Sequence, residues 1–259
     1  MIVKMGTKPF GKQPSSGRMH QRLPTEERLD RFVCQMFARI APRYDMLNTI
    51  LSFALHHRWR QIVVQMLELK PTARVLDLCT GTGDLAIQLA RHIGPAGEVV
   101  ALDFCEPMLQ LARQKASQHG LNHIRYVQAD ALQLPFAAHT FDAVTIAFGL
   151  RNLTDKQQAL YEMARVLKPG GRVAVLELTR PLNAPTRQLY DLYAHYLMPL
   201  IGKWLSDAEA YYYLPVSIQH YEDRATIAEY MYRAGFTQVC YRDLTLGVAC
   251  VHIGVKRCV

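Results

Sequence analysis

Apolar residues first recur at helical spacing from Glu26 onward: Leu29, Phe32, Val33, Met36, Phe37 and Ile40 fall three and four apart and make one stripe. Pro42 is expected to end that helix, because proline has no N–H to donate and clashes with the preceding turn. A second helix is expected over His57–Glu68, with Trp59, Ile62, Val63, Met66 and Leu67 on one side. From there short apolar runs alternate with helical patterns. Strands are expected at Arg74–Leu78, Glu98–Asp103, Ile124–Ala129, Phe141–Ala147 and Arg172–Leu178, and helices at Leu85–His92, Pro107–His119, Asp155–Val166 and Thr226–Ala234. Gln238–Leu244 and Val248–Val255 close the chain as two strands. Their short join, Thr245–Gly247, makes them an antiparallel hairpin. The fold class that follows is α/β, a doubly wound, mostly parallel sheet of seven strands in the Rossmann-like manner, with helices on both faces and an antiparallel last strand.

Two segments break this rhythm. Residues 1–24 show no periodicity and are expected to be a flexible arm, leaving 25–259 as a single domain with a helical cap over 25–70. Residues 181–225 hold seven of the thirteen tyrosines and Trp204, with Leu189, Tyr193, Tyr196 and Leu197 at helical spacing. They are expected to form a helical insertion over the sheet. Tyrosine offers an apolar body with a polar tip, which suits an aromatic ligand bearing hydroxyls.

Composition narrows the class. With half of its 259 residues hydrophobic and a fifth charged, the chain can bury a core of its own. The six cysteines form no C-x-x-C pair, so neither a zinc site nor a redox pair is expected, and a reducing cytoplasm is the expected setting. No window approaches a membrane-spanning apolar run. The net charge of +8 is concentrated at the start: residues 1–25 carry five basic residues and no acid. A basic tail fits an anionic membrane surface or simple solvation. A nucleic-acid partner would require basic residues interleaved with aromatics, and the tyrosine-rich segment lacks them.

The first strand runs into Cys79-Thr80-Gly81-Thr82-Gly83-Asp84, and Asp103 closes the next strand 20 residues beyond Gly83. Glycines there let a ligand approach the backbone, and a carboxylate at the second strand end accepts from both hydroxyls of a ribose. Gly81-x-Gly83-x-x-Ala86 also fits a dinucleotide loop, but Asp84 would repel a pyrophosphate at the helix start. S-adenosylmethionine carries a sulfonium and an ammonium instead, which Asp77 and Asp84 suit; Asp84 alternatively serves as a helix cap. Asp130-Ala131, after the third strand, faces the same crevice, where Asp130 either accepts from an adenine amino group or closes a turn.

These residues resemble class I methyltransferases: Val75–Gly83, Asp103, Leu134-Pro-Phe136, Phe141-Asp142 and Val166–Gly171. Further runs resemble the quinone-biosynthesis C-methyltransferases acting on demethylmenaquinol and, in some members, on a polyprenyl methoxybenzoquinol. They are Phe37–Asn48, Leu51-Ser-Phe53 with His56 and Trp59, Phe148-Gly-Leu-Arg-Asn152 with Thr154-Asp155, Tyr213-Leu-Pro215 with Ser217-Ile218, and Gly247-Val-Ala with His252. The likeness covers about residues 30–256. It implies S-adenosylmethionine held at Thr82, Asp103, Asp130 and Ala131, which join Asp77, Gly81 and Gly83, already read from the loop; no metal is expected. It implies methylation of a ring carbon, made nucleophilic when a quinol hydroxyl loses its proton. Arg151, after the fourth strand, is expected to hold that oxygen or orient a water that takes the proton, and Asn152 to donate to an oxygen, with Tyr44 and Asp45 lining the ring pocket; packing for Tyr44 and an ion pair with Asp155 for Arg151 are the plainer readings. Asp45 and His220 are alternative bases. Ala147 stands where members serving both quinones have serine, which tilts the expectation toward menaquinol. The implied partners are a lipophilic prenylated quinol and the membrane surface, met peripherally from the cytoplasmic side; a homodimer is left open.

Overall fold

A computed structural model describes residues 26–193 and 208–258. The expected arm, and Tyr196, Leu197 and Trp204 of the expected insertion, lie outside them. In chain order the elements are α1 (Glu26–Leu51), α2 (Leu55–Met66), β1 (Arg74–Leu78), α3 (Asp84–Ile93), β2 (Glu98–Asp103), α4 (Glu106–Gln118), β3 (Ile124–Gln128), β4 (Phe141–Ala147), α5 (Lys156–Val166), β5 (Leu167–Leu178), α6 (Ala184–Leu192), α7 (Ala208–His220), α8 (Arg224–Arg233), β6 (Phe236–Leu244) and β7 (Ala249–Lys256).

The seven strands form one sheet in the order β3-β2-β1-β4-β5-β7-β6. The five strands β1–β5 pair in parallel, and β7 runs antiparallel to both β5 and β6. Each central strand buries both faces. Val75, Ala101, Ala143 and Ala174 pack with Trp59, Val63, Leu85 and Leu89 from α2 and α3. Leu76, Leu102, Ile146 and Val175 pack with Leu160 and Met163 of α5 and Ile227 and Met231 of α8. This is the continuous apolar signature of a sheet covered on both sides.

Strands β5 and β6 begin earlier than expected, at Leu167 and Phe236, and the largest departure is in the first helix. Helix α1 does not stop at Pro42 but carries it inside and continues to Leu51. A proline in a helix interior costs about 3 kcal/mol. Burial beyond it offsets that cost: Tyr44 packs against Ala41, Cys105 and Met108, and Leu47 is buried as well. The prolongation sets Tyr44, Asp45 and Asn48 above the carboxyl ends of β1 and β4, where ligands lie in open α/β sheets.

Candidate active site

The turn after β1 is shaped by its backbone. Gly81 and Gly83 take φ of 57° and 82°, a region most side chains avoid. A Cβ on Gly83 would come 3.0 Å from Ala112 of α4. The chain after β4 is tighter still, since a Cβ on Gly149 would lie 2.5 Å from that of Cys79. The two strand ends are thereby locked side by side, with Phe148 at φ 60° turned between them.

Two cavities open there. The smaller, about 110 Å³, is lined by Thr80, Gly81, Thr82, Asp84, Asp103, Phe104, Asp130, Ala131, Ala147 and Asn152, among others. Asp103 accepts from the backbone N–H groups of Gly81 (2.8 Å) and Cys105 (2.9 Å), which aim its carboxylate, and burial raises its pKa. Asp130 Oδ1 accepts from Leu132 N at 2.8 Å, so it closes a turn and lines the cavity at once. Asp77 does not line it. It is buried beneath the loop, accepting from Thr80 Oγ1 at 2.6 Å and Thr145 Oγ1 at 2.7 Å. Burial pushes its carboxyl up to about 6 against those bonds. Its geometry is that of a positioning residue.

Asp84 is engaged by the protein itself. Gly83 caps α3, and Asp84 pairs with Lys115 at 2.6 Å and Arg60 at 3.4 Å. Burial alone would raise its pKa, but those two cations hold it below the carboxylate range. Lys115 also meets Asp45 at 2.5 Å, and Asp45 accepts from Thr82 Oγ1 at 2.5 Å. Asp45 therefore ties the cap helix to the glycine loop, and it lines neither cavity. His220 is exposed and bonded to Val216 O, outside both cavities. Neither candidate base reaches the space where a substrate would sit.

The larger cavity, about 470 Å³, is lined mostly by apolar and aromatic side chains of α1, α2, α6, α7 and the β6–β7 turn. Phe37, Tyr44, Arg60 and Phe148 line both cavities and form their shared wall. Burial raises the Tyr44 phenol, so it holds its proton. Arg60 is buried, stacks over the Phe148 ring at 5.1 Å, donates to His56, and keeps its Nε without a hydrogen-bond partner. Burial, and then Arg60, hold His56 down at about 4.

Arg151 lines the larger cavity. It is no surface residue: it pairs with Glu177 at 2.6 Å, the two side chains only 5% and 1% exposed. Asp155 instead caps α5 by accepting from Gln158 N. Burial would favour a neutral Arg151, but Glu177 outweighs it and raises the pKa. The Arg151 Nε is buried and free of a hydrogen bond. Asn152 lines the smaller cavity, its Oδ1 accepting from Tyr213 OH at 3.0 Å.

Of the expected residues, Gly81, Thr82, Asp103, Asp130, Ala131 and Asn152 converge on the smaller cavity, Arg151 on the larger and Tyr44 on both; Asp77 and Gly83 shape the loop from behind. Glu177, Arg60 and Lys115 escaped the sequence reading. Two left a signal. Glu177 interrupts the apolar run Val173–Leu178 at a strand's carboxyl end, and Arg60 falls three and four residues before Val63 and Val64, on the buried stripe of α2.

The smaller cavity suits a donor that carries positive charge. Asp103 and Asp130 line it, as does Asp84 held between Arg60 and Lys115; Arg60 is the single cation among the described lining residues, and Phe104, Met108 and Leu153 give apolar walls for a flat base. A diphosphate would meet the wrong sign.

The sequence pattern of the ubiE/COQ5 methyltransferase family matches residues 24–256. The ubiquinone/menaquinone biosynthesis C-methyltransferase UbiE of Pseudomonas putida (strain GB-1) is 41% identical over 246 residues, 94% of this chain and 96% of its own. The protein of that name from Idiomarina loihiensis is 42% identical over 226 residues, covering 86% and 90%. Among solved structures, a SAM-dependent methyltransferase of Thermotoga maritima, described as a possible histamine N-methyltransferase, superposes with a TM-score of 0.62. It is 18% identical and covers 86% of this chain and 99% of its own, a likeness of fold.

Proposed function

Because this chain belongs to the ubiE/COQ5 methyltransferase family and so uses S-adenosylmethionine, we propose that it methylates a ring carbon of a polyprenyl quinol, converting demethylmenaquinol to menaquinol. The observation that carries this reading is the pair of cavities with one shared wall. A polar pocket at the glycine loop and a large apolar one meet at Tyr44, Arg60 and Phe148.

The bound cofactor supplies a methyl group on a sulfonium, an electrophile without phosphate. The chain supplies position and field. Asp103 and Asp130 offer carboxylate oxygens to the ribose and adenine ends, and Asp77 and Gly83 fix the loop. On the acceptor side, a quinol carbon becomes nucleophilic when a neighbouring hydroxyl is a phenolate. Arg151, charged and braced by Glu177, is aimed to steady that oxygen, and protonated Tyr44 can donate to it. Arg151 cannot itself be an ordinary base. Tyr190, whose phenol burial pushes up to about 12, adds a flat polar-tipped wall to the ring pocket. Holding both reactants across one wall supplies much of the acceleration.

The relatives' names cover two quinones, and a polyprenyl methoxybenzoquinol is the second reading. Ala147 lines the donor cavity and brings no hydroxyl there, which supports the menaquinol reading. Such a quinol resides in a bilayer. No helix among the described residues is long and apolar enough to cross a membrane, so the encounter would be at its surface. Methyl-labelled cofactor should be incubated with short-chain naphthoquinol and benzoquinol acceptors, each kept reduced. Label in the naphthoquinol is expected. Label only in the benzoquinol would exchange the two readings, and label in neither would overturn both.

A further inference from the structure

The larger cavity opens among exposed apolar side chains. Phe53 is 72% exposed, Leu189 68% and Leu246 77%, and all three line it. They come from three remote stretches: the turn between α1 and α2, helix α6, and the tip of the β6–β7 hairpin. The stretches are fastened to one another. Tyr193 donates to Leu51 O at 2.5 Å and its ring meets that of Phe53 at 6.1 Å, which joins α6 to the first turn. Trp59 Nε1 donates to Thr245 Oγ1 at 2.9 Å, which joins the hairpin tip to α2.

Leaving large apolar groups in water is unfavourable, and a cluster of them marks an interaction surface. Here the backbone adds to the cost. Phe53 and Leu246 take left-handed φ of 50° and 58°, conformations that side chains other than glycine avoid. Charge selects the partner. Asp45, Glu68, Asp191 and Asp243, the acids that flank the three stretches, are each paired with a lysine or arginine, while Arg58 and Arg187 within the stretches are exposed. Apolar tips flanked by exposed arginines, with the neighbouring acids already ion-paired, match the interface of an anionic bilayer.

We propose that Phe53, Leu189 and Leu246 form a rim that inserts into the headgroup–acyl boundary of an anionic membrane and seats the mouth of the cavity on the lipid. This rests on the reading of the acceptor as a membrane-borne quinol. The rim would let such a molecule enter without crossing water.

The test uses the full chain without any quinol. Sedimentation is measured with vesicles of equal phosphatidylcholine and phosphatidylglycerol, and with phosphatidylcholine alone. The parent should partition to the anionic vesicles, and Phe53→Ser/Leu189→Ser/Leu246→Ser should lose at least roughly tenfold. Unaltered adenosylhomocysteine affinity and circular dichroism would show that the variant is folded. As a second measurement, Leu246→Trp should add fluorescence that brominated lipids quench more than they quench the parent. Equal partition of parent and triple variant, or no added quenching, overturns the rim. So does loss of a dimer by the triple variant with no change on vesicles, which would assign the patch to a second copy of the chain. A protein that binds vesicles through the rim yet methylates no quinol would defeat the substrate reading and leave the rim standing.

Discussion

Glu177→Gln tests the electrostatic account of the site most directly. The carboxylate is buried and takes three N–H bonds: from Arg151 Nη1 at 2.6 Å, Arg151 N at 3.2 Å and Leu178 N at 2.8 Å. Glutamine keeps the volume but removes the charge, and it turns one acceptor into a donor facing donors. A buried ion pair broken on one side costs about 3–5 kcal/mol, because the remaining charge is uncompensated. The retained oxygen still accepts, which puts the expected loss near the lower end, about 3 kcal/mol. For a domain of this size each kcal/mol moves the melting midpoint by about 2–4 °C, so the variant should melt roughly 6–12 °C lower. Urea unfolding and thermal scans by circular dichroism measure it. The double variant Glu177→Gln/Arg151→Met should recover part of the loss, since it removes the stranded cation. A single-variant cost below about 0.5 kcal/mol, or strictly additive single and double losses, would refute the coupling.

Two further outcomes follow from the same geometry. Gly149→Ala places a methyl 2.5 Å from Cys79 Cβ, so the two strand-end turns must part; adenosylhomocysteine affinity in calorimetry should fall at least tenfold, about 1.4 kcal/mol, and an unchanged affinity would show that the turns yield freely. Asp77, pushed by burial to about 6 from an ordinary 3.8, adds stability in full below about pH 4 that is gone above about pH 6. Asp77→Asn should therefore be the more stable protein at pH 8, by on the order of 1–3 kcal/mol, with no gain at pH 4. His56, held down at about 4, contributes the opposite slope, but parent and variant share it. A variant no more stable than its parent in denaturant at pH 8 would contradict the burial penalty.

The central strands were legible because each carries a short apolar run bounded by polar turns, and β6, which is largely exposed, through its short join to β7. The register of β1 against β2 and β4 follows from the same residues that bury Val75, Leu76 and Leu78. The glycine loop and Asp103 were legible because their chemistry is local to a strand, a turn and a helix. The continuation of α1 through Pro42 was not, since it depends on Tyr44, beyond the proline, meeting Cys105 and Met108, residues more than 60 positions away. The partner of Arg151 was likewise hidden. Asp155 is its neighbour in sequence, whereas Glu177 arrives through the pairing of β4 with β5, where Ala147 faces Leu176. Asp45, expected as an alternative base, is instead held at the glycine loop, where Lys115 and Thr82 claim its oxygens.

The apolar cavity takes its walls chiefly from helices outside the repeating strand–helix units and from a hairpin tip, while the glycine loop belongs to the units themselves. On the proposed reading, most of the recipient's pocket is written outside the stretches that hold the donor, and among the described residues the two meet only at Phe37, Tyr44, Arg60 and Phe148. A lineage could reshape that pocket by rewriting α6, α7 and residues 245–248, none of which lines the smaller cavity, and leave the glycine loop as it is.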